Sequence, residues 1–196
     1  MQLPWIHTDI QHPLVSLRCL KASDFEGLLA VAADPLIWAQ HPNPLRWQRP
    51  IFSTYFEGAI LSQGAYLIIH TSTGEWMGCS RYYDWEPASA SIKIGYTFFG
   101  RKWWGGQFNP LVKALMLKQA FVHLERVQFE LGVENLRSSL AMQKLGAVNK
   151  GKRTIAYHGE QPKENWLFEI SKTNFLVGPL STLAKKNAGG QPNEGS

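Results

Sequence analysis

The stretch Ser91–Pro110 reads SIKIGYTFFGRKWWGGQFNP. Its first nine residues, Ser91–Phe99, are rich in β-branched and aromatic side chains, the composition of a strand. Gly95 interrupts them, and an isolated glycine in a strand marks a bulge or a close backbone approach. Gly100 ends the strand, Arg101 and Lys102 add positive charge, and Gly105 and Gly106 open conformations closed to other residues. Asn109 is a good helix N-cap and Pro110 a good first helical residue. A strongly apolar helix, PLVKALMLKQAFVHL, follows from Pro110. A glycine-rich turn entering a helix presents main-chain N–H groups and the positive end of the helix dipole to an anion. Such turns also occur without a ligand, and Pro110 has no N–H to offer.

The next segments supply the rest of a crevice. RVQFELGV (126–133) reads as a strand, and NLRSSLAMQKLG (135–146) as a helix capped by Asn135 and stopped by Gly146. Two strand ends and two helix starts on one edge make a usual ligand location in such sheets. Upstream, LVSLRCL (14–20) is a strand, and SDFEGLLAVAAD (23–34) a helix opened by a Ser23–Glu26 capping box. Residues 51–64 form a helix entered at Pro50 and ended by Gly64; AYLIIH (65–70) and EWMGCSRYYD (75–84) form a hairpin around TSTG. The segment 34–50 holds four Pro and two Trp, which excludes regular structure and argues for an ordered loop over a groove. RTIAYH (153–158) and NWLFEI (165–170) make a last hairpin around GEQPKE. The order predicts a mixed α+β layer structure, with a crossover between parallel strands around the 91–133 region. Residues 1–176 are expected to form one domain, and 177–196 a polar, glycine-rich, poorly ordered tail.

Composition narrows the function classes. The chain has 196 residues, 44% hydrophobic and 18% charged, as in a globular protein. Net charge is +5, which favours anionic partners, but there is no block of five like charges and no Arg-rich arm, so DNA is not the expected partner. Cys19 and Cys79 sit in apolar segments without a CxxC or Cys/His cluster, so no metal is expected. The first residues lack a signal-peptide pattern, and no apolar run approaches the ~20 residues of a membrane span. The expected setting is reducing and cytoplasmic.

IGYTFFGRKWWGGQFN, an apolar helix, then ERVQFELGVENLRSSLAMQKLGA together resemble the GNAT superfamily of acyl-CoA-dependent N-acetyltransferases. The likeness is greatest to the Rim-type branch, which acetylates N-termini of ribosomal proteins, and covers about residues 14–171. It implies a mostly antiparallel central sheet of about seven strands, a splayed central pair and about four helices. It also implies acetyl-CoA as co-substrate, direct attack by an amine acceptor, and no metal or membrane partner; a homodimer is admitted.

The family's pyrophosphate loop falls on Trp104, Gly105, Gly106, Gln107, Phe108 and Asn109. Gln107 stands where the family has Gly, and would either crowd the pyrophosphate or reach over it. Tyr96, Thr97, Phe98 and Phe99 are implicated through their backbone, beside the pantetheine arm and the thioester. Asn135 matches a family Asn near the cofactor arm and the catalytic water, which makes it a candidate catalytic residue, and Ser138 the Rim-type Ser one turn later. Met142 stands where many relatives have a proton-donating Tyr. For the base, Glu130 is the candidate, with Asp84 and Tyr83 near a neighbouring strand end and His123 read as structural. Trp38, His41, Trp47 and Tyr82 are candidate acceptor contacts. Acetylation of a small amine, such as an antibiotic or polyamine, is a second reading. A non-catalytic acyl-CoA-binding module, suggested by Gln107 and Met142, is a third.

Overall fold

The computed structural model describes residues 4–41, 43–156 and 161–185. Among them the strands are β1 (Ile10–Gln11), β2 (Val15–Cys19), β3 (Ala65–His70), β4 (Trp76–Glu86), β5 (Ser91–Phe99), β6 (Arg126–Gly132), β7 (Val148–Ile155) and β8 (Lys163–Ser171). The helices are α1 (Phe25–Ala32), α2 (Arg49–Leu61), α3 (Phe108–His123), α4 (Leu136–Lys144), α5 (Lys172–Val177) and α6 (Pro179–Lys185). The strands form one sheet in the order β1-β2-β3-β4-β5-β6-β8-β7. Every neighbouring pair is antiparallel except β5 and β6, which α3 joins as the expected parallel crossover. The count is one strand above the expected seven, because two-residue β1 adds an edge, and two helices above the expected four, because α5 and α6 follow β8.

The sheet separates two apolar cores. Val15, Tyr66, Ile68, Ile92 and Ile94 face α3, whose Leu111, Leu115 and Phe121 are buried, and Leu180 and Ala184 of α6 join that side. Leu67, Cys79 and Phe98 face the other side, with Leu28 of α1 and Phe52, Tyr55 and Phe56 of α2. Strand side chains alternate with period two, so Phe98 should share a face with Ile92 and Ile94. It lies on the opposite face. The register shows why: Arg81 pairs with Gly95 and Cys79 with Phe98, so two β5 residues, Tyr96 and Thr97, oppose Ser80 alone. That is a β-bulge, and it inverts the alternation.

The bulge sits one residue beyond the glycine that signalled it. Tyr96 carries the left-handed backbone, at φ 53°. Gly95 is needed for a different reason: a Cβ there would lie 2.9 Å from the Tyr83 ring. Three other local expectations are corrected. Helix α3 begins at Phe108 with Gln107 as its N-cap residue, so Asn109 is helical and does not cap. The Ser23–Glu26 box does not form; a short 3-10 turn covers Ala22–Asp24, and Glu26 pairs with Arg49. The 177–196 tail is helical as far as Lys185 and docks Leu180 and Ala184 against α3; residues 186–196, and 157–160 of the last hairpin, lie outside the described residues. No helix among the described residues is long and apolar enough to cross a membrane.

Where β4 passes β5, Gly78 has φ 156°, and a Cβ on it would stand 1.9 Å from the Phe98 carbonyl oxygen. Backbone cannot yield as a side chain does. Gly78→Ala should therefore destabilise the fold by about 1–3 kcal/mol, lowering the melting temperature by roughly 3–10 °C. Calorimetry checks this, and an unchanged melting temperature would mean that β5 is not held against β4 here.

Candidate active site

Strands β5 and β6 pair only from Ser91–Lys93 to Arg126–Gln128. Beyond Lys93 they diverge, because the bulge bends β5 while β6 stays paired with β8 as far as Gly132. The β6-facing edge of Ile94–Phe99 is left without a ladder partner. The bulge is pinned from several sides. The Tyr55 hydroxyl donates to the Tyr96 carbonyl at 2.7 Å, and the Ser80 and Thr97 hydroxyls share a hydrogen bond of 2.8 Å. Between the strands lies a wedge-shaped cavity of about 200 Å³, lined by Tyr96, Thr97, Glu130, Asn135, Ser138 and Met142 among others. It adjoins a larger cavity of about 650 Å³, walled by the Trp38–His41 loop, Thr97–Phe99, Gly105, Gly106, Asn109, Asn135 and Ser138.

The loop between β5 and α3 is shaped by its own bonds. A 3-10 turn spans Arg101–Trp103, and the Trp104 indole donates to the Phe99 carbonyl at 2.9 Å. Arg101 pairs with Asp34, tying this loop to the one that covers it. Gly105 then takes φ 70° and the chain enters α3, whose first helical bond runs from Leu111 N–H to the Gln107 carbonyl. The N–H groups of Gly105, Gly106, Gln107, Phe108 and Asn109 donate to no acceptor among the described residues. Five adjacent free donors at a helix N-terminus fit a phosphate group, and the wedge beside them fits an extended arm. The residues therefore fit coenzyme A. Gln107 is exposed, makes no capping bond and does not line the cavity. Pro110, being third in the helix, removes a donor at only one of the four orphan positions.

Titratable groups crowd the wedge. The Glu130 side chain is 2% exposed and is paired with Lys93; Tyr83 donates to its other oxygen at 3.0 Å. Burial works against the Lys93 charge, but Glu130 and Asp84 outweigh it and hold its pKa above the ordinary value. Lys113, one turn into α3, donates to the Asn109 side chain, and burial pushes its amine down to about 8. Burial, then the Arg46 cation, push His41 down to about 3. Its Nδ1 accepts from the Asn43 amide at 3.0 Å, and Arg46 lies 3.2 Å from Nε2, so a second ring proton would face donors on both sides. Such a ring is too weak a base to hold an amine's proton near neutrality. Burial pushes both thiols, Cys19 and Cys79, up to about 11, which leaves them protonated and poor nucleophiles.

Of the expected cofactor residues, Tyr96–Phe99, Trp104, Gly105, Gly106, Asn109, Asn135 and Ser138 line this crevice, and Gln107 and Phe108 do not. Asn135 also caps α4, its side chain accepting from the Ser138 N–H at 3.1 Å. The expected acceptor contacts fare differently. His41 lines both cavities. Trp38 is 2% exposed, packs with Tyr55 and Phe98 and bonds the Ala32 carbonyl, presenting only an edge. Tyr82 is fully buried and donates to the Met116 carbonyl at 2.5 Å, and Trp47 packs on the α1–α2 core. Neither lines the two cavities of the crevice. Sequence reading missed Arg46, Arg81 and Lys113, each a lone cation in an apolar or aromatic segment, and that isolation was the available signal.

The His41 shift gives a pH dependence with a definite sign. Between pH 6.5 and about 3 the unfolded chain binds a proton that the folded imidazole refuses, so stability falls as pH falls through that interval. His41→Gln should flatten the slope of unfolding free energy against pH by up to about 1.4 kcal/mol per pH unit. Urea titrations at pH 4, 5 and 6 measure this; equal slopes would mean that the ring is protonated in the fold.

A family model described as the acetyltransferase (GNAT) domain matches residues 15–148. No curated protein sequence matches the chain significantly. Among solved structures, a GCN5-related N-acetyltransferase from Brucella melitensis superposes with a TM-score of 0.73 at 18% identity, over 91% of this chain and 83% of that one. A probable GNAT-family acetyltransferase from Chromobacterium violaceum gives 0.74 at 19% identity, over 86% and 88%. Mycobacterium smegmatis RimJ, in complex with CoA-disulfide, gives 0.67 at 17% identity, over 91% and 92%. At such identities these structures establish a shared fold, and the matched two-thirds of the sequence establishes the family: the chain belongs to the GNAT acetyltransferases.

Proposed function

We propose that the chain is an acetyl-CoA-dependent N-acetyltransferase of Rim type, transferring an acetyl group to the primary amine of a protein N-terminus in a ternary complex. The observation that carries this reading is the unpaired β5 edge beside five free amides at the start of α3, opening on one crevice. The RimJ likeness supports the Rim-type acceptor. The free cysteines suit a reducing, cytoplasmic setting.

Acetyl-CoA, when bound, supplies an acyl group already activated as a thioester. The loop amides from Gly105 to Asn109 hold its pyrophosphate, and Lys113 beneath them, mostly cationic at pH 7, adds positive potential. The β5 edge orients the arm, and the lip of the wedge fixes the attack geometry. Glu130 takes the amine's proton through the Tyr83 hydroxyl that it already binds. Met142 supplies no acid, and Ser138, which lines both cavities, is a hydroxyl-bearing residue that would face the departing sulfur. With both cysteines held protonated, direct transfer is favoured over an acyl-enzyme. The position of Gln107, outside the cavity, weakens the case for a non-catalytic module.

A thiol-release assay with acetyl-CoA should show turnover on peptides beginning with Ala or Ser and none on N-blocked copies. Calorimetry that finds neither acetyl-CoA nor CoA bound would overturn the reading. Glu130→Gln should lower kcat by roughly 10²-fold or more, with the KM for acetyl-CoA within about threefold. Gln107→Gly should leave CoA affinity within about threefold, less than 1 kcal/mol; a larger loss would show that the Gln side chain binds the cofactor.

A further inference from the structure

Arg81 lies in β4 at the centre of the sheet and is 3% exposed. Its guanidinium carbon stands 3.3 Å from the centroid of the Tyr96 ring, with the Tyr55 and Tyr83 rings at 5.9 Å. Aromatic faces attract a cation but bring no net negative charge. Nε and Nη1 of Arg81 make no hydrogen bond, and no carboxylate lies within ion-pair distance among the described residues. Asp84, three residues on, is paired with Lys93 instead. A buried lysine relieves such a position by losing its proton; an arginine does not. A guanidinium buried without a counter-ion is costly unless an anion reaches it.

The cavity beside Arg81 offers a place for one, although Asp84, neutralised by its pairing with Lys93, also lines it. Arg81 walls a cavity of about 300 Å³ on the side of Tyr96 away from the α3 loop, between α2, β4 and the end of β7. Tyr83 and Tyr96 line both this cavity and the wedge, so the two are adjacent. We propose that this cavity binds a carboxylate of the acceptor, with Arg81 as its partner, so that the substrate is a primary amine carrying a nearby carboxylate. A guanidinium fork suits a carboxylate's two oxygens. The proposal rests on the acetyltransferase reading. The carboxylate comes either from an acidic side chain next to the N-terminal residue of a peptide, or from the α-carboxylate of a small amino acid.

Two matched pairs of acceptors test it in thiol-release assays. Ala-Glu and Ala-Gln peptides differ only in the side-chain group, and a free amino acid and its amide differ only in the α-carboxyl group. In one pair the carboxylate member should have a kcat/KM at least tenfold higher, mostly through KM, and the pair that shows it identifies the source. In Arg81→Gln that ratio should fall to within twofold. Equal kcat/KM in both pairs for the wild type overturns the proposal, whether or not the variant folds, and so does a preference that survives in Arg81→Gln. The N-acetylated forms of the same compounds, which need no turnover, provide a separate arm. At millimolar concentration the carboxylate form should raise the wild-type melting temperature and the amide form should not. Binding there without transfer on any acceptor would sink the transferase reading and keep the carboxylate site. Transfer without carboxylate preference would do the opposite.

Discussion

Tyr96 is held in a left-handed backbone conformation that an ordinary residue adopts at a cost of about 1–3 kcal/mol. The rest of the site follows from that one constraint. The extra residue bends β5 away from β6 after three paired positions and moves Phe98 from one core to the other. Several contacts hold it. Tyr55, planted in α2, bonds the Tyr96 carbonyl; Arg81 lies over its ring; Tyr83 meets it edge-on at 5.0 Å. The α2 core is thereby coupled to the shape of the crevice. A change in that core reaches the site through Tyr55, and through Trp38 and Phe98, which belong to that core and line the 650 Å³ cavity.

The same aromatic cluster governs the electrostatics. Arg46 is buried against Trp38, Tyr55 and Tyr96, and Arg81 against Tyr96, so two cations share one ring. Glu130, the buried carboxylate of the wedge, is taken by Lys93. His41 stays neutral, its imidazole driven down by burial and by Arg46. The global charge of +5 is too dispersed to reveal where these cations cluster.

The fold was legible where the signal was periodic or terminal. The hairpins, the apolar α3 and the crossover between β5 and β6 follow from alternation, turn residues and length. Gly95 marked the bulge to within one residue, because a glycine in a strand reports crowding, here by the Tyr83 ring, and not which neighbour takes the strained angle. Asn109 and Pro110 suggested a helix start two residues late, since both are also compatible with the first turn. Tyr82 and Trp47 were indistinguishable from groove residues in sequence, because an aromatic with a polar tip serves equally in a core whose carbonyls need donors. The tail beyond 176 reads as polar, yet Leu180 and Ala184, one turn apart, suffice to dock α6 on α3.

The loop that looked poorest by its letters is well formed by its geometry, and the reason is physical. Its donors are main-chain N–H groups, which any residue but proline supplies, so the sequence need only provide the turn. Gly105 provides it at φ 70°, and the Trp104 indole locks the turn to the end of β5. A glycine is required only where a side chain would enter the crevice or a left-handed angle is demanded. Gln107 meets neither condition: it has φ −78° and its side chain is exposed. Its departure from the family pattern therefore falls at a position where neither the backbone angle nor the cavity wall demands a glycine.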